Sequence, residues 1–124
     1  MPFTVLCVDD DVHSLLARTQ ILKHHGYKVL SAENGAAALK LVRAHKQIGL
    51  IILDSRMPHM NGADLARIIR RLWPTIPIMM VSGEQVSGRG LEAVDAYLEK
   101  GWPSDYFMAV VGTLVKNVSS QRSG

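Results

Sequence analysis

The chain has a single cysteine, Cys7, so no disulfide framework can staple it and its stability has to come from packing. Cys7 lies inside the apolar run VLCV and reads as a small core residue, which suits a reducing, cytoplasmic setting. No apolar run is long enough to cross a bilayer. Met1, Pro2 and Phe3 lead straight into a strand-like run, without the charged segment and cleavage site of a secretory signal, so the expectation is a soluble protein, neither exported nor membrane-bound. Aromatic residues make up only 6% of the chain, and none is interleaved with the basic residues as nucleic-acid stacking surfaces require. Two glycine signatures are also missing. No GxGxxG follows the first apolar run and no GxxxxGK[ST] occurs, which removes the usual dinucleotide and P-loop readings.

What is present fits one compact domain over residues 1–124, with 48% apolar and 20% charged residues. The expected core runs from about residue 3 to about residue 118, and the polar tail from Ser119 to Gly124 is expected to fray. A formal net charge of +3 with a pI near 9.2 raises the question of nucleic acid. The basic residues answer it by their scatter: Lys23, Lys40, Arg43, Lys46, Arg67, Arg70 and Arg71 fall mostly on the polar faces of three separate helical segments, without helix-turn-helix spacing. Direct nucleic-acid binding is therefore not expected, while Arg67, Arg70 and Arg71 offer a surface that could meet an acidic protein.

Strand and helix signals alternate along the chain. Val5 to Asp9 reads as a buried strand, and Asp11 then caps a helix with Leu15, Leu16, Thr19 and Leu22 on one face, ended by Gly26. Tyr27 to Ala32 alternates like a strand, and after Asn34-Gly35 a helix carries Ala38, Leu41, Val42 and His45. Ile48 to Asp54 is apolar on both faces, as the centre of a parallel sheet should be. Leu65, Ile68, Ile69 and Leu72 mark the third helix, closed by Pro74. Ile76 to Ser82 and Asp95 to Glu99 are the fourth and fifth strands, and a last helix from Pro103 carries Phe107, Val110, Val111, Leu114 and Val118. Five βα units of this size, joined by right-handed crossovers, predict an α/β fold: a doubly wound, parallel five-stranded sheet of flavodoxin-like order 2-1-3-4-5.

In that order the first and third strands are neighbours, so Asp9 and Asp10 converge with Asp54 at the carboxyl edge, where open α/β sheets do their chemistry. Three carboxylates packed together repel one another and are pushed toward protonation unless a cation joins them. The natural neutraliser is a hard divalent ion with oxygen ligands, Mg²⁺ or in its place Mn²⁺; thiolate and imidazole ligands for a softer metal are not in the cluster. Ser82 and Lys100 end the fourth and fifth strands at the same edge. A carboxylate beside a metal, an ammonium and a hydroxyl is poorly suited to shuttle protons and well suited to accept a phosphoryl group, giving an aspartyl phosphate.

The acidic pair Asp9-Asp10, the DxxMPxMxG run from Asp54 to Gly62, the strand-terminal Ser82 and the YxxK of Tyr97 to Lys100 occur in an order that resembles the receiver domain of two-component response regulators, the chemotaxis-regulator-like kind. The resemblance covers Val5 to about Leu114. It implies Asp54 as phosphoacceptor; Asp10, Asp54 and the Arg56 carbonyl as Mg²⁺ ligands, with Asp9 acting through water; Ser82 and Tyr97 as the switch pair; and Lys100, with the N–H of Gly83, as phosphate-binding groups. Met57, Pro58, Met60 and Gly62 are then loop scaffold. Arg56 and Glu84 stand where such domains tune the lifetime of the phosphate. The implied donor is a sensor histidine kinase or phosphotransfer protein, and the implied output is a downstream protein target or fused effector. The domain is then a regulatory switch that catalyses its own phosphorylation and dephosphorylation, not a conventional enzyme.

Two departures stand out. The segment from Ser82 to Lys100 is short and holds Gly83, Gly88 and Gly90, so the fourth helix is expected to be short, displaced or disordered. Gly101 follows Lys100 where such domains commonly carry a cis proline; a cis bond to a non-proline residue costs about 2.5 to 4 kcal/mol, so a trans bond is expected here. These departures favour an alternative, a phosphorylation-independent interaction module on the same fold. A phosphomonoester hydrolase is a third reading, but it needs a second Asp where Arg56 stands.

Overall fold

The computed structural model describes residues 3–57, 59–83 and 91–123, with side chains through residue 116. Along the chain come β1 (Thr4–Val8), α1 (Val12–His24), β2 (Lys28–Ala32), α2 (Gly35–Ala44), β3 (Ile48–Asp54), α3 (Gly62–Leu72), β4 (Ile78–Ser82), β5 (Ala96–Glu99) and α4 (Ser104–Ser123). The five strands form one sheet in the order β2-β1-β3-β4-β5 with every pairing parallel, as the sequence predicts.

Strand alternation divides the core in two. Leu6 and Val8 of β1 and Ile51 and Leu53 of β3 pack against Ala38 and Val42 of α2 and Leu65, Ala66 and Ile69 of α3. Val5, Cys7, Leu50 and Ile52, on the other face, meet Leu15 and Leu22 of α1 and Phe107, Val111 and Leu114 of α4. That two-sided burial is why β3 carries no polar residue before Asp54.

Helix ends follow local chemistry. The Asp11 side chain accepts N–H bonds from His13 and Ser14, Asn34 caps α2 through Ala37, and Asn61 caps α3 through Asp64. After α1 the chain reverses at Gly26, whose φ of +91° suits glycine. The backbone of α4 runs to Ser123, beyond the start of the expected frayed tail, since no glycine or proline after Gly112 interrupts it before that point.

The stripe of α1 differs from expectation. Leu16 is 54% exposed and Arg18 is buried between Leu15 and Leu22, because a 3.6-residue period puts positions 15, 18 and 22 on one face and position 16 off it. Leu72 is likewise 50% exposed, at the last turn of α3. Two of the three basic residues on α3, Arg67 and Arg70, also make contacts within the fold. Arg67 bonds Glu92 at 2.6 Å and Asp64 at 2.9 Å. Arg70 reaches the carbonyls of Pro74, Ile76 and Ala93 and the Asp95 carboxylate, which also accepts the Ile78 N–H at 2.8 Å.

That network fastens the end of the β4–β5 connection to α3. The short, displaced or disordered fourth helix expected from the glycines falls mostly on residues that the structure does not describe. Residues 84–90, Glu84 among them, and Pro58 lie outside the described residues.

Gly62 opens α3 directly over the end of β3. A Cβ there would fall onto the Asp54 carbonyl oxygen, and the Gly62 N–H donates to the Ser55 carbonyl at 2.9 Å. Gly62→Ala is expected to lower the unfolding free energy in urea titrations by about 1–3 kcal/mol through overpacking. Gly112→Ala, in α4 with open space around it, is expected to raise it by about 0.5–1 kcal/mol.

Candidate functional site

The carboxyl ends of β1, β3, β4 and β5 bring Asp9, Asp54, Ser82 and Lys100 together. Asp9 and Ser82 are fully buried, Asp54 nearly so, and Asp10 is exposed at the rim. Carboxylate oxygens of Asp9, Asp10 and Asp54 lie within 4.8 Å of one another. Lys100 spans the group, with Nζ 3.3 Å from Asp54 Oδ1 and 3.5 Å from Asp9 Oδ2. Its own backbone N–H donates to the Ser82 carbonyl at 2.7 Å, so pairing of β5 with β4 sets where the ammonium starts. The Lys100–Gly101 peptide is trans, and Gly101 takes a φ of +96°, turning the chain away just after the lysine. The missing proline therefore does not keep Lys100 out of the pocket.

Asp9 is held on all sides. Its Oδ1 accepts the Asp11 N–H at 2.9 Å, and its Oδ2 accepts Arg18 Nη1 at 3.1 Å. Arg18 is the residue that sequence reasoning missed, although its signal was there: a cation in the buried stripe of an amphipathic helix, one turn from Leu15 and Leu22. Ser55 is the second. Its hydroxyl donates to Ser82 Oγ at 2.6 Å. Since Asp54 pairs with Val81 in the β3–β4 register, the next residues along each strand are Ser55 and Ser82, and two hydroxyls at matching positions of adjacent strands were the available clue.

The remaining predicted residues are placed as follows. Gly83 is exposed beside Lys100, and a Cβ there would sit 3.9 Å from the lysine Cδ. Tyr97 is half-buried on β5, paired in register with Met80, on the face opposite Leu98. Arg56 has an exposed side chain two residues beyond Asp54, and Glu84, the other residue expected to tune the phosphate lifetime, falls outside the described residues. Met57 is buried and Met60 half-buried beneath the loop.

The electrostatics are those of a site with too much negative charge. Burial, and next the charge of Asp9, push the Asp54 carboxyl above its ordinary value, with Lys100 pulling the other way. Three carboxylates against two cations leave an excess that a hard divalent ion would offset, and the donors are all oxygen, so the residues fit Mg²⁺. Cys7 is not a competing nucleophile: burial pushes its thiol up to about 12.

Because the folded state binds the Asp54 proton more tightly than the unfolded chain, this group's contribution to stability falls as pH rises through and above the ordinary carboxylate range. Asp54→Asn is therefore expected to melt higher than the wild type at neutral pH in EDTA. The gap should close as the pH is lowered below that range, read from thermal melts at a series of pH values.

A protein-family model for the response regulator receiver domain matches residues 5–111. Among curated proteins, KdpE of Mycobacterium tuberculosis is 33% identical over 116 residues, covering 90% of this chain and 50% of KdpE. MprA of a Mycobacterium species is 34% identical over 125 residues, covering 96% of this chain and 53% of MprA. The chain thus spans about half the length of these relatives. Among solved structures, the response regulator TrrA of Thermotoga maritima, in complex with Mg²⁺-BeF, superposes with a TM-score of 0.86 at 29% identity, covering 92% of this chain and 99% of that one. A CheY-like receiver domain protein of Methanospirillum hungatei JF-1 gives a TM-score of 0.92 at 25% identity, covering 98% and 99%.

Proposed function

The chain belongs to the response regulator receiver domain family, the phosphoryl-accepting module of two-component signalling, and from that premise we propose that Asp54 is its acceptor. The observation that carries this reading is the position of Lys100 Nζ, between Asp54 Oδ1 and Asp9 Oδ2 at the edge where Ser82 also ends its strand. An Asp54 oxygen attacks the phosphorus of a phosphohistidine, the P–N bond breaks with its electrons passing to the imidazole, and an acyl phosphate forms. Lys100 stays with the transferred group and balances charge on its oxygens, while the Gly83 N–H offers a further donor. Asp10, Asp54 and the Arg56 carbonyl, with Asp9 behind them, would hold Mg²⁺, whose charge supports the crowded anions. Attack of water on the phosphorus returns the free carboxylate, so the domain catalyses both its own loading and its own unloading. Arg56 and Glu84 are the residues proposed to set how fast water enters.

Ser82 supplies the switch. Its hydroxyl oxygen accepts from Ser55, and turning toward a phosphoryl oxygen aims its own O–H at an anion. A hydrogen bond to a charged group is worth about 1.5–3 kcal/mol net against about 0.5–1.5 for a neutral one, which favours the phosphorylated conformer. Tyr97, on the neighbouring strand, follows inward and alters the α4–β5 face presented to a target or fused effector. The donor is a histidine kinase or phosphotransfer protein, which places the domain in the cytoplasm. No helix among the described residues is long and apolar enough to cross a membrane.

Intact mass after incubation with a small-molecule phosphodonor and Mg²⁺ tests the reading. The expected result is a gain of one phosphoryl group in the wild type and none in Asp54→Asn or in EDTA. No gain under any donor would replace this function with the phosphorylation-independent interaction module.

A further inference from the structure

We propose that Arg18 is a positioning residue that serves as a built-in counter-ion to Asp9 and lowers the affinity of the acidic site for its divalent metal. The inference rests on the Mg²⁺ reading above. Arg18 occupies a buried place in the core-facing stripe of α1, between Leu15 and Leu22. Burying a guanidinium is expensive unless it is paired, and the partner here is the fully buried carboxylate of Asp9, 3.1 Å away.

With Oδ1 committed to the Asp11 N–H and Oδ2 shared by Arg18 and Lys100, Asp9 has both oxygens engaged by the protein itself. Asp10, at the rim, and Asp54 are left as the carboxylates that face an incoming ion. Charge points the same way. Three carboxylates with Lys100 and Arg18 sum to −1, whereas the same site without Arg18 sums to −2. Affinity for hard divalent ions depends on ligand charge count, and a fixed positive charge a few ångströms from the ion opposes its entry. Arg18 therefore makes occupancy, and with it phosphoryl transfer, responsive to the concentration of free Mg²⁺ over a higher range than the carboxylates alone would give.

Calorimetric titration of MgCl₂ into the full chain tests this with the wild type, Arg18→Leu, Arg18→Gln and Arg18→Lys. Arg18→Gln keeps a donor for Asp9 without the charge, and guards against a failure of Arg18→Leu to fold. The neutral variants are expected to bind Mg²⁺ about tenfold more tightly, and Arg18→Lys is expected to stay near the wild type. A merely structural role predicts the opposite, weaker binding by a loosened site. Unchanged or weaker affinity in a folded Arg18→Gln, by circular dichroism, overturns the proposal. Absence of binding in every protein, wild type included, would overturn the metal reading and this inference together.

Discussion

The contact on which the site depends is the ammonium of Lys100 lying between two buried carboxylates, Asp9 and Asp54, that would otherwise face each other across the β1–β3 boundary. Burial first, and then the charge of Asp9, push the Asp54 carboxyl above its ordinary value, and the lysine offsets them only in part. The remaining imbalance makes the pocket receptive to a cation and, once one is present, to the equatorial oxygens of a phosphoryl group. A fully neutralised site would be more stable and would have less to gain from either.

Holding that arrangement falls to the backbone. Each group leaves the end of a parallel strand, and the register of the four strands sets the spacing before any side chain is placed: Asp54 beside Val81, Ser82 beside Glu99, the Lys100 N–H on the Ser82 carbonyl. Gly62 completes the frame by letting α3 begin in contact with the Asp54 carbonyl. Asp54, the proposed acceptor, thus sits at the end of a rigid element.

The parts of the fold that depend on short-range pattern were legible in the residues. Apolar runs ending in Asp9, Asp54 and Ser82, the cap Asp11 and the terminator Gly26 report local rules, and the strand order is that of the flavodoxin-like arrangement the alternating βα units suggest. Arg18, Ser55 and Arg70 were not read correctly because each acts through a partner brought near only by folding. A guanidinium in a helical stripe looks like an interruption until Asp9 is seen beneath it. Ser55 looks like a turn residue until β4 is laid alongside. Arg70 looks like surface charge, yet it donates hydrogen bonds to the carbonyls of Pro74, Ile76 and Ala93 and to the Asp95 carboxylate.

Those Arg70 contacts bear on how the switch is transmitted. The connection between β4 and β5 enters β5 through Ala93, which is buried against the α2–α3 face, and Asp95, which binds both Arg70 and the Ile78 N–H. The start of β5 is thereby anchored to α3 and to the start of β4, while its other end carries Lys100 into the pocket. The proposed movement of Ser82 and Tyr97 cannot slide β5 as a unit without breaking a part-buried N–H bond and an ion pair. The displacement is better absorbed after Lys100, at Gly101 with its positive φ. In the proposed switch, a change at Tyr97 therefore reaches the α4–β5 face by side-chain movement on a strand whose start stays fixed to α3 and β4, rather than by displacement of the strand itself.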